Sequence, residues 1–319
     1  MKVPNAILHS LLILSTRLHF ISLVENQSLS DLTISSAKLT RVPPTIKNVL
    51  ALRNVTFMIC KIRTVDLADF CDHSLLVKLD LNSNHIRYVV NTATRHCSLY
   101  DSLKSLLLYS NLLTTINLNM FSAFPQLSYL TLRNNKIKTL THTFGHSALE
   151  NINLGINGLE EANLCDWSVP NLSRLSFRRN QLTNLPSCIT IFTNLTVLSV
   201  AGNGLANFSI ESLAGLDKLQ ELELEMNSLT SAVLTSDLFP KDLQTIDLSM
   251  NNLTEIDLSY IPVHSLRVIL QSNAIERFDL NNTSPNVTTL EMAYNPIDCS
   301  FSTPLERAMK HVDCGKNRI

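Results

Sequence analysis

Seven cysteines and a run of alternating carboxylates are the residues of this 319-residue chain whose types and spacing could do chemistry. Cys71-Asp72-His73 and His96-Cys97 hold two thiols and two imidazoles. They could converge as a Cys2His2 zinc site, or the thiols could close a disulfide and leave the histidines idle. Cys165 with Cys188, and Cys299 with Cys314, form two further candidate pairs, and Cys60 is left over. Glu221, Glu223 and Glu225 alternate along one stretch, which would put all three on one face of a strand. No catalytic constellation surrounds them. The histidines are dispersed, and the chain lacks H-E-x-x-H, G-x-x-x-x-G-K-[ST], G-x-G-x-x-G and G-x-S-x-G. The sequence therefore reads as a non-enzyme with no catalytic residue, no cofactor and no metal.

What must position these residues is a repeat. Leu127 to Leu140, LSYLTLRNNKIKTL, reads L-x-x-L-x-L-x-x-N-x-L-x-x-L. Aligned on Asn135, the chain shows one column of Ala37, Cys60, Asn84, Asn111, Asn135, Asn157, Asn180, Asn203, Asn227, Asn251, Asn273 and Asn295, at intervals of 22 to 27 residues. This is the leucine-rich-repeat period. The L-x-L segment alternates with period two, so Leu130 and Leu132 should point inward while Tyr129, Thr131 and Arg133 point out. Each column Asn can satisfy backbone groups buried where the chain leaves the strand. Cys60 is a weak substitute and Ala37 none, so the first repeats should be the least regular.

The expected fold class is α/β: a leucine-rich-repeat solenoid shaped as a curved horseshoe, with about twelve repeats. A parallel sheet would line its concave face, with loops and short helical turns on the convex face. Phe70, Phe121, Phe144 and Trp167 should pack inward on the return path. Residues 1–24 combine Lys2 with an apolar run over Ile7–Leu14 and read as a signal peptide in preference to an apolar N-terminal cap of the solenoid, residues 25–298 as the solenoid, and residues 299–319 as a cap. Thr303-Pro304-Leu305-Glu306 opens a short capping helix whose Leu305, Ala308, Met309 and Val312 share one apolar face. No other stretch is long and apolar enough to span a bilayer.

Formal net charge is −1, which does not point to a nucleic-acid partner. Asn-x-Ser/Thr sequons at Asn54, Asn171, Asn194, Asn207, Asn252 and Asn286, with further ones at Asn26, Asn281 and Asn282, favour a secreted glycoprotein. Of these, Asn171, Asn194 and Asn286 share a register just before a repeat begins, where a glycan would face solvent. The cysteines fit an oxidising compartment. Cys165 and Cys188 each lie eight residues after their column Asn, one coil apart, and Cys71 and Cys97 stand nearly as close in register. Disulfides are thus the preferred reading over zinc or reduced thiols.

Read by columns, the concave face carries Leu107, Tyr109, Tyr129 and Arg133, then Arg174 and Arg178, then Glu221, Glu223, Glu225 and Asp247. Exposed Tyr and Arg are enriched at interface hot spots. A protein-binding surface is expected there, with no cation directly opposite the glutamates.

The repeat and its return path, as in Ile116 to Leu127, resemble the extracellular leucine-rich-repeat superfamily. The signal-like start, irregular first repeats and the ending Asn295-Pro296-Ile297-Asp298-Cys299 through Cys314 resemble the leucine-rich immune proteins of mosquitoes. With no heptads before Ile319, the resemblance is to the coil-less subgroup. It implies a secreted innate-immune recognition or scaffolding factor whose partner is an extracellular protein, complement-like for instance, or a microbial surface component. Two other classes fit the same residues: an extracellular matrix or adhesion protein, and a decoy or co-receptor ectodomain for a signalling receptor.

Overall fold

The structure is a computed structural model that describes residues 1–3, 8–141, 143–297 and 312–313, without the side chains of residues 2, 3, 312 and 313. It divides into two compact units. The first comprises Met1–Gly158 with Asp166–Asn171, the second Leu159–Cys165 with Leu172–Ile319.

Both units repeat one coil. In the first, parallel strands Asp31–Ser35, Asn54–Met58, Lys78–Asp80, Ser105–Leu107, Tyr129–Thr131 and Asn151–Asn153 pair in chain order. In the second, Arg174–Ser176, Val197–Ser199, Glu221–Glu223, Thr245–Asp247, Leu266–Ile269 and Val287–Glu291 do the same. The leucines explain why. Leu130 and Leu132 are fully buried, as are Leu106, Leu108, Leu222 and Leu224 at equivalent positions, so each strand hides its apolar face against its neighbours. The pairing keeps register, as in Tyr129↔Ser105 and Val197↔Glu221, except for a shift between Leu266 and Arg267 where Leu266–Ile269 meets Val287–Glu291. A slip of one residue would turn every leucine outward.

The asparagine column performs the predicted function. Asn135 Oδ1 accepts from the Leu113 N–H at 3.0 Å, while its Nδ2 donates to the carbonyls of Leu108 and Leu132 at 2.9 Å each. Asn227 in the second unit repeats this with Leu205, Val200 and Leu224. Cys60 is a partial substitute, its thiol 3.4 Å from the Met58 carbonyl. Unanticipated from sequence is the residue just before the column, which adopts a left-handed backbone in coil after coil, from Ser36 (φ 55°) and Ile59 (φ 53°) to Arg179 (φ 55°) and Met226 (φ 58°). At Gly202 (φ 66°) a Cβ would meet Arg179 Cγ at 2.8 Å, so glycine there also gives Arg179 its room.

An additional coil precedes the twelve. Ser10–Leu14, within the segment read as a signal peptide, pairs in parallel with Asp31–Ser35. Ser15 (φ 52°) takes the left-handed position, and Thr16 stands in the column. Ile13, Ile21 and Leu23 are buried. The apolar run has the alternation of a strand as much as the hydrophobicity of a leader.

On the return path, the helical segments among the described residues are short 3-10 turns such as Leu67–Phe70 and Leu118–Ala123. Phe70, Phe121, Phe144 and Trp167 are buried as expected. Short parallel pairs such as Thr143–Gly145 with Asp166–Ser168 add a second set of strands there. The capping helix from Leu305 and the Cys299–Cys314 pair lie outside the described residues. Val312 is the exception. It belongs to a two-residue strand, Val312–Asp313, paired with Leu290 and Glu291, and not to a helix face. The sheet's unpaired edge offers ladder hydrogen bonds that the sequence's helical spacing does not reveal.

Cys71 and Cys97 form a disulfide with Cα atoms 4.4 Å apart, and Cys165 and Cys188 another at 4.9 Å. Bonding consumes both thiols of the candidate zinc site. Its His73 is fully buried, with Nδ1 and Nε2 each 3.2 Å from a carbonyl, of Phe70 and Ile46. Burial holds the His73 imidazole below its ordinary pKa. Cys60 is buried and unbonded to sulfur, its thiol pushed up by desolvation.

Candidate functional site

Period-two alternation sends every second strand residue to the exposed face, so the candidate residues are presented by a backbone fixed from below by leucines. In the first unit this face is aromatic. Tyr109 is exposed, Leu107 and Tyr129 are half-buried, and Arg133 lies on the coil after Tyr109 with its guanidinium carbon 5.8 Å from the ring centroid. Arginine over a tyrosine face is a cation–π pair. It orders both side chains without removing either from solvent.

In the second unit the face is charged. Arg174 and Glu221 are exposed, and Asp247 is half-buried with its Oδ1 accepting from the Ser249 N–H at 2.9 Å. No cation stands directly opposite the glutamates, as expected, but one reaches them from two coils away. Arg178 Nη1 donates to Glu225 Oε1 and lies 3.8 Å from Glu223 Oε2. Arg178 and Glu225 are not on adjacent coils. Between them runs the coil of Ser199 and Ala201, and because both are small and buried, a long side chain can pass over them. Two small residues flanked by Arg and Glu columns were the available signal; looking only at directly opposed positions missed it.

This bridge leaves unmet demand. Glu225 retains only 13% side-chain exposure, and its Oε2 is buried without a hydrogen-bond partner among the described residues. Ser199 Oγ is buried and unpartnered in the same way. Burial raises the Glu225 carboxyl above its usual pKa, partly offset by Arg178, and Asp247 pushes it further up. The face thus offers acceptors to a donor group.

The sequons are distributed unevenly. Asn171, Asn207 and Asn252 are exposed. Asn54 donates to Asp31 at 2.7 Å on the strand face, Asn194 accepts from Lys218 at 2.6 Å, and Asn286 donates to the Ile261 carbonyl at 2.7 Å. Asn26, buried, accepts from the Ser28 and Leu29 N–H groups. Among the described residues no helix is long and apolar enough to cross a membrane.

No family model matches the chain. Among curated proteins it is 28% identical to Toll-like receptor 9 of Ovis aries over 186 residues, 58% of this chain and 16% of that one. Among solved structures, the LRIM1/APL1C complex matches 97% of this chain and 56% of its own, with TM-score 0.69 at 19% identity. The coil, its asparagine column and these likenesses agree. The chain is a leucine-rich-repeat protein. A further leucine-rich-repeat likeness is to the Drosophila Toll–Spatzle complex, over 88% of this chain and 44% of that one, with TM-score 0.69 at 20% identity. The chain spans from under a fifth to little over half the length of these proteins.

Proposed function

We propose that this leucine-rich-repeat chain is a secreted, glycosylated protein-binding factor of innate defence, acting in recognition or scaffolding through the exposed face of its strands. The observation that carries this reading is the second unit's bridge, where Glu225 Oε2 and Ser199 Oγ are buried yet unpartnered beside solvent-facing Glu221 and Glu223. A free protein tolerates such atoms at a cost, and a partner's ammonium, guanidinium or amide would satisfy them. Support for the class comes from structurally similar proteins solved as complexes, LRIM1/APL1C and Toll–Spatzle, the latter a hub in Drosophila development and innate immunity. Two disulfides favour an oxidising, extracellular compartment.

The test is capture of partners from extracellular fluid by wild-type protein and by Glu221→Lys combined with Glu223→Gln, read by mass spectrometry. Glu225 is left intact because a lysine there would bury a second cation against Arg178. A protein partner lost only with the variant supports the face. Identical recoveries would remove the second unit's strands from the reading.

A further inference from the structure

A second charged feature lies away from the strand face, on the flank formed by residues just after the column. In the first unit those positions are basic on four of the five coils from Ala37 to Asn135; the Asn111 coil, with Leu112 and Thr114 there, carries none. Lys38, Lys61 and Lys136 occupy the first position after the column; Arg63, Arg87 and Lys138 the third; Arg41 adds a fourth-position cation. All are exposed, and none makes a salt bridge among the described residues. The five residues following Ala37, Cys60, Asn84, Asn111 and Asn135 include no Asp or Glu. Backbone bonds hold the line straight. Lys61 N–H donates to the Leu39 carbonyl at 2.8 Å, Arg87 N–H to the Arg63 carbonyl at 2.9 Å, and Lys136 N–H to the Leu113 carbonyl at 2.8 Å. With strands about 4.8 Å apart, the cations from Lys38 to Lys136 span about 20 Å along the stack, in rows at the first and third positions. Arg17, in the preceding coil, extends it.

We propose that this flank of the first unit binds a linear sulfated polysaccharide. Unpaired like charges stacked on successive coils repel one another, and a polyanion laid along them would remove that repulsion while releasing its own counterions. A line and not a patch selects an extended chain. Two hollows on the flank each combine a cation with an aromatic ring, one lined by Phe20 and Arg41, the other by Arg87, Tyr88 and Lys136. A sugar ring can rest its C–H face on such an aromatic while its sulfates meet the cations. Phe20 and Tyr88 stand three coils apart, too far to stack successive nucleic-acid bases. The choice of a sulfated glycan rests on the extracellular part of the reading above, but not on the strand face.

The test uses the full secreted chain on immobilised heparin across a salt gradient, with Lys61→Ala/Arg63→Ala/Arg87→Ala as the variant and Arg277→Ala, on the same flank of the second unit, as the control. Wild type and control should be retained, and heparin affinity should fall as salt rises. The triple variant should bind at least about tenfold more weakly, with a salt dependence shallower by about one unit per cation removed. Its melting temperature should not fall, since the three side chains make no ion pairs among the described residues and their removal relieves like-charge repulsion. Desulfated heparin should compete poorly. Equal retention of variant and wild type, or no retention of either, would overturn the proposal. So would better competition by single-stranded DNA, or by phosphatidylserine vesicles, than by heparin. Heparin binding that survives while partner capture fails would remove the strand-face reading alone.

Discussion

The two units build the same coil and put opposite chemistry on it. After the column, the first unit carries Lys38, Lys61, Arg63, Arg87, Lys136 and Lys138 and no acid, whereas the second carries Glu160, Glu161, Glu255 and Glu276 with Arg277 as a lone cation among the described residues. Their interiors differ too. The first unit buries His73, His146 and the carboxylate of Asp80, whereas in the second Glu225 is half-buried on the strand face. The near-zero net charge of the chain is the sum of these unlike halves. Core positions are fixed by packing and hydrogen bonding, while the exposed positions between them vary without cost to the fold.

That shared interior can be broken first. Asn135→Leu in the first unit and Asn227→Leu in the second each remove the partner of one N–H and three carbonyls, and should each destabilise by about 2–4 kcal/mol in urea denaturation. Similar losses would establish that only the surfaces differ. A negligible loss in one unit would mean its coil is held otherwise.

Acid should separate the units. Burial depresses the folded pKa of His73 and His146 below the ordinary 6.5, so the unfolded chain takes up protons first. Their contribution is complete above about pH 6.5 and declines as pH falls below it. Glu225 runs oppositely. Its raised pKa means that its ionised form costs stability near neutrality, and that cost fades as protonation sets in. Hydrogen exchange at about pH 5 against pH 7.5 should therefore show protection lost chiefly around His73 and His146. Uniform loss through both units would contradict the assignment.

The smallest expected effect lies in the column itself. Cys60→Asn should supply the oxygen and amide that the thiol only approximates, raising stability by about 1 kcal/mol. A decrease would mean that Asn does not fit between Ala37 and Asn84 in the irregular first coils.

The sequence was a good guide wherever one coil's chemistry repeats. The leucines, the asparagines and the registers of Cys71 with Cys97 and Cys165 with Cys188 were legible because a solenoid maps sequence period directly onto spatial neighbours. It was a poorer guide where contact skips a coil or depends on an edge. The reach of Arg178 over Ala201 to Glu225 was missed, and so was the strand at Val312. The flank cations were equally visible in the chain, but they lie one to four residues after the asparagine column, beyond the strand positions.

By itself, then, the sequence determined the coil and its inward leucines, because period-two alternation and a fixed repeat leave one way to bury the apolar residues, and it made the two observed disulfides the preferred pairing over zinc or free thiols. Only the tertiary structure decided which charges meet. Whether Glu225 is paired, Ser199 left wanting a partner, or Lys61 and Arg63 left bare depends on how far side chains reach across stacked coils, and a one-dimensional period does not encode that distance.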